Sequence, residues 1–138
     1  MSWRLTLIGM VLWAGPLWGQ VNPYPRPPGV TDSAIAWGKQ LFHGSANCNL
    51  CHGDGGRGTP RGPNLTGAIW LHGDGSYQSI IQQVLHGVPA SRSMSGEPMP
   101  IRGWVPMNDG DVQAVAAYVW SISHPPQPPP PPQPERGG

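Results

Sequence analysis

From Thr31 to His124 the chain holds a single phenylalanine, Phe42, and a thin supply of large aliphatic residues, and proline-rich segments close this stretch at both ends. Eight prolines fall between Pro125 and Pro134 and four between Pro23 and Pro28, so the glycine and proline excess does not mark the whole chain as disordered. What lies between must fold with little apolar side-chain mass to offset chain entropy. Small domains in this position take a structural metal, disulfides or a buried organic group at their centre. Composition alone does not choose among these.

The ends frame one domain. Arg4 begins a short basic start, Leu5 to Trp18 is uncharged and mostly apolar, and Pro16 and Gly19 precede an expected cut near Gln20. Residues 1–19 therefore read as an export leader, or as an uncleaved anchor, since the uncharged run is only a little shorter than a membrane span requires. Residues 20–30 read as a proline-rich linker, 31–124 as the domain and 125–138 as a proline-rich, disordered tail of polyproline-II character. The expected location is periplasmic or extracytoplasmic. Without the leader the chain carries seven basic and seven acidic residues, and it has one lysine, Lys39. That balance implies no strong electrostatic partner and excludes nucleic-acid binding as a function class.

Three segments repeat with helical period and none of useful length alternates with period two, so the fold class is all-α. The first helix starts from a cap at Thr31 or Asp32 and sets Ile35, Gly38, Leu41 and Phe42 on one face. The second places Tyr77, Ile80, Ile81, Val84 and Leu85 together, with Ser76 as cap and Gly87 past its end. The third begins at Asn108 with Asp111 as half of a capping box, turns Val112, Val115, Val119 and Ile122 inward, and stops at Pro125 and Pro126. The Gly- and Pro-rich connections between them are long for a compact domain, which is expected if they wrap a ligand.

Cys48-Asn49-Leu50-Cys51-His52 uses both cysteines of the chain in the C-x-x-C-H spacing of c-type haem attachment. Thiols at this spacing reach the two vinyl groups on one edge of a porphyrin, and the next residue projects its imidazole beneath the iron. The other readings are weaker. A redox C-x-x-C belongs beside a βαβ pattern, and no strands are visible. Structural zinc wants a second ligand pair, and a disulfide leaves His52 unexplained.

With these residues in view, the stretch from Thr31 to Ser123 resembles a class I c-type cytochrome: a small all-α fold of about three main helices around one covalently attached haem c. Gly38-Lys39-Gln40-Leu41-Phe42 resembles the family's N-terminal helix, where a small residue permits a close crossing with an aromatic residue of the last helix, here Tyr118. Gly62-Pro63-Asn64-Leu65 resembles the loop whose proline carbonyl accepts the second N–H of the ligating histidine, which implies that Pro63 orients His52. Val115 to Ser121 resembles the last helix, and Ile69-Trp70-Leu71 and Met99-Pro100 are more loosely similar to haem domains of respiratory oxidases and dehydrogenases.

The resemblance implies that His52 and Met99 are the axial ligands, because the distal ligand is a methionine before the last helix and followed by proline. Met94 and Met107 are rivals, with Met107 read as packing, and His72 and His86 are read as surface histidines. Trp70, Trp104 and Arg102 are candidate donors to haem propionates or, for the tryptophans, packing surfaces. Arg57, Arg61 and Arg92 are candidates for the rim. A His/Met pair favours ferrous iron and leaves no open position, so the expected function is electron transfer, not catalysis. The expected setting is a free carrier, or the cytochrome subunit of a respiratory complex, between redox protein donor and acceptor. The alternative is a haem enzyme or gas sensor whose distal ligand is labile.

Overall fold

The computed structural model describes residues 25–126. The expected leader, the start of the linker and most of the proline-rich tail lie outside the described residues. Four α-helices follow one another: α1 Asp32–His43, α2 Asn49–His52, α3 Tyr77–His86 and α4 Asp109–Ser123. Short 3-10 turns at Asp54–Gly56, Ala90–Arg92 and Ile101–Trp104 punctuate the connections. Among the described residues there is no strand, only isolated bridges pairing Thr59 with Gly62 and Val88 with Met99. No helix among them is long and apolar enough to cross a membrane.

The helices start where short polar side chains satisfy the free N–H groups of a first turn. Thr31 accepts from the Ala34 N–H at 3.1 Å, Ser76 accepts from the Ser79 N–H at 3.2 Å, and Asn108 and Asp111 complete a reciprocal capping box. Val30 and Ile35 occupy the hydrophobic-staple positions of α1, and Met107 and Val112 those of α4. Val30, Met107 and Val112 are buried. Gly87 ends α3 at φ 64°, in the left-handed region that glycine reaches without a Cβ clash.

The helix crossing at the centre of the fold is α1 against α4. A Cβ on Gly38 would sit 1.8 Å from the Ala114 carbonyl oxygen and 3.0 Å from the Tyr118 Cβ, so only glycine lets the two backbones approach this far. Phe42 meets Tyr118 edge to face with centroids 5.3 Å apart, and Trp37 donates its indole N–H to Asp111 at 2.9 Å. Beyond the expected stripe, α4 also buries Ala114, Ala116, Ala117, Tyr118 and Trp120. It is enclosed on several sides, α1 covering one and α3 another, while Val115 and Val119 face a cavity.

Candidate functional site

The short helix α2 is how the chain delivers its chemistry. Asn47 takes φ 51°, a left-handed turn that asparagine tolerates, and directs the chain from the end of α1 into Cys48. The Cys48 carbonyl accepts from the His52 N–H at 2.9 Å, winding both cysteines and the histidine onto one turn. The segment after it folds back over that turn. Thr59 donates its hydroxyl to the Cys51 carbonyl at 2.5 Å, and a tight turn through Pro60 and Arg61 pairs Thr59 with Gly62. A Cβ on Gly62 would lie 2.8 Å from the Cys51 carbonyl oxygen, which is why glycine stands there.

This turn brings the Pro63 carbonyl to 3.0 Å from His52 Nδ1, which donates to it. The bond fixes the tautomer and leaves Nε2 as the lone-pair nitrogen available to the cavity that His52 lines. Burial holds the imidazole below its ordinary pKa, and the Pro63 carbonyl offsets part of that shift. His52 is therefore a neutral, oriented donor at physiological pH. Cys48 and Cys51 form no disulfide, and before any attachment burial pushes the Cys48 thiol up to about 11.

The cavity measures about 430 Å³, within the range of sites that hold cofactors. Phe42, Leu65, Ile80, Val84, Val115 and Val119 give it apolar walls, and Cys48, Cys51, His52 and Met99 open onto it. Two thiols, a neutral imidazole with a carbonyl behind it, and a thioether on apolar walls form a donor set that suits a covalently attached haem. Of the three loop methionines, Met99 is half-buried against the core, Met107 is buried ahead of α4, and Met94 is 56% exposed at the rim. All three line the cavity.

Several residues stand apart from the sequence reading. Arg102 does not face the cavity: it donates to the Met107 carbonyl at 2.8 Å and to Asp109 at 2.6 Å, tying down a loop in which Arg102, Gly103 and Trp104 all have positive φ. A carbonyl and a carboxylate within reach engage both of its terminal nitrogens. Trp70 and Trp104 do line the cavity, Trp104 as an exposed rim residue and Trp70 packed tightly over the backbone of Gly75. His86 is exposed as expected, but His72 is half-buried on the cavity lining. Arg57 and Arg92 are exposed away from the lining, whereas Arg61 is on it and paired with Glu97. Glu97 was not singled out by the sequence, nor were Ser79 and Gln83, which also line the cavity. The signal for the last two was present: they flank Ile80 and Val84 at helical spacing on α3.

Comparison with known proteins agrees with this geometry. The family described as Cytochrome c matches residues 35–123. The Cbb3-type cytochrome c oxidase subunit FixP of Rhizobium etli is 34% identical over 109 residues, a match covering 77% of this chain and 36% of the relative. The Cbb3-type cytochrome c oxidase subunit CcoP of Rubrivivax gelatinosus is 39% identical over 93 residues, covering 67% of this chain and 27% of the relative. The chain thus spans roughly a third of the length of these relatives. No solved structure matches it significantly. With the matched region running from α1 to the end of α4, and with an all-α fold around an apolar cavity that holds the C-x-x-C-H turn, the chain belongs to the cytochrome c family.

Proposed function

We propose that this chain carries electrons through one haem c, which Cys48 and Cys51 would hold by thioethers and His52 and Met99 would ligate, and that it serves a respiratory complex as a non-catalytic cytochrome subunit or module on the extracytoplasmic side. When bound, the group supplies an iron centre that exchanges one electron. The observation that carries the reading is the His52 imidazole, buried, neutral and held by Pro63 at 3.0 Å beside two thiols on one apolar cavity. The Pro63 carbonyl keeps the imidazole from turning and makes it a stronger donor. The apolar walls contributed by α1, α3 and α4 exclude water and bring the site's potential under the control of its few polar neighbours.

Burial supports Met99 over Met94 as the distal ligand: Met99 packs on the core with its backbone pinned to Val88, while Met94 stands mostly in solvent. Leu50, Ile69, Leu71, Met94 and Trp104 are exposed on the cavity rim and offer a redox partner an apolar contact with little charge. The names of the relatives support the respiratory setting, since both are oxidase subunits. The test is the reduced visible spectrum of protein matured in a host that attaches c-type haem, recorded before and after carbon monoxide. A low-spin c-type spectrum unchanged by the gas supports the reading, and a rapid shift overturns it. Met99→Ala is expected to lower the reduction potential in a potentiometric titration, because sulfur ligation favours ferrous iron. An unchanged potential removes Met99 from the ligand set.

A further inference from the structure

The segment between α3 and Met99 is built as a flap. Its root is the two-way backbone pairing of Val88 with Met99, at 3.0 and 2.9 Å. It carries Met94 near its middle and Glu97 two residues before its pinned end, both on the cavity lining. Against Glu97 stands Arg61, which also lines the cavity and belongs to the turn that presents the Pro63 carbonyl to His52. Arg61 donates through Nε at 3.0 Å and Nη2 at 2.7 Å to the same Glu97 oxygen. This pair joins residues 36 apart in sequence.

We propose that Arg61 and Glu97 act as a latch that holds the 89–98 flap closed over the methionine side of the cavity, and so set how readily a small external ligand reaches that side. The inference rests on the reading of the cavity as a haem site. Within the flap, the hydrogen bonds link near neighbours: the Arg92 N–H with the Pro89 carbonyl, the Ser93 N–H with the Ala90 carbonyl, Ser93 with Ser95, and Ser95 with the Glu97 N–H. Those contacts shape the segment itself and, among the described residues, do not join it to another loop. The guanidinium of Arg61 ties the Glu97 end of the segment to the loop that carries Pro63, from two residues ahead of that proline, so one ion pair joins the two loops where they meet on the cavity lining. Both partners are about half exposed, so the latch is screened by salt and opens without unfolding the domain.

The experiment uses the matured holoprotein as wild type, Glu97→Gln, Arg61→Gln and the charge-reversed double variant Arg61→Glu/Glu97→Arg, and reads the rate at which imidazole binds the ferric protein by its Soret shift. Releasing an exposed ion pair is expected to raise the entry rate of each single variant about 1.5- to 5-fold at low ionic strength. Added salt should accelerate wild type toward the single variants while leaving Glu97→Gln unmoved, and the reversed pair should restore a slow, salt-sensitive rate. Equal rates in wild type and single variants, or equal salt dependence in wild type and Glu97→Gln, overturn the latch. The charge-transfer absorption of methionine-bound ferric iron, followed in the same samples, bears on Met99 alone, because the entry rate reads the flap whichever side chain meets the iron.

Discussion

Gly38→Ala tests the crossing on which the architecture depends. The added Cβ would fall 1.8 Å from the Ala114 carbonyl oxygen and 2.4 Å from its carbon, both backbone atoms of α4 that have no rotamer to escape into. Restoring an ordinary contact requires α1 and α4 to part by roughly 1.5 Å, enough to forfeit a large share of the dispersion energy along their interface. Overpacking of this kind costs about 1–3 kcal/mol and more when backbone must move, while alanine returns about 1 kcal/mol of helix propensity over glycine. With backbone forced to move, the net loss falls at the upper end, about 2 kcal/mol, which for a domain of this size lowers the melting temperature by about 10 °C. Gly110→Ala is the control: it also sits in a helix, but its Cβ would meet only the Asn108 side chain at 3.1 Å, so it should stay within about 1 kcal/mol of wild type. Guanidinium unfolding of both holoproteins, followed by helical circular dichroism and by the Soret band, measures the difference. A Gly38→Ala variant as stable as Gly110→Ala would refute the argument that this glycine sets the crossing.

Gly62→Ala should cost about 1–3 kcal/mol and lower the yield of matured protein, because its Cβ pushes the 59–62 turn off the Cys51 carbonyl. The same shift weakens the Pro63 bond to His52, makes the imidazole a poorer donor and should raise the reduction potential, opposite in sign to Met99→Ala. Burial raises the phenol pKa of both Tyr77 and Tyr118, so above the ordinary tyrosine value the unfolded chain loses these protons before the folded one does. Stability should therefore fall as pH rises past about 10, and the denaturant midpoint should drop less between about pH 9 and about pH 11 in a Tyr77→Phe/Tyr118→Phe variant. An equal drop in that variant would assign the alkaline loss to other groups.

The features legible in the sequence are those set by short spacing. The caps at Thr31, Ser76 and Asn108, the glycine stop at Gly87 and the apolar faces of α1, α3 and α4 need only neighbours within a few residues, so local pattern determined them. The C-x-x-C-H turn is likewise local, and its chemistry followed from residue types and order. Gly38 and Pro63 were found through resemblance to the family, although their partners lie far along the chain. The tertiary structure decided the rest. Arg102 turned to Met107 and Asp109 because those acceptors reach it only once the loop before α4 has closed. His72 came onto the cavity lining, and α4 became buried on several sides, because other elements supply the missing walls. The Arg61–Glu97 pair left no periodic trace, since two exposed charges in separate loops become partners only when the fold brings those loops together on the lining of one cavity.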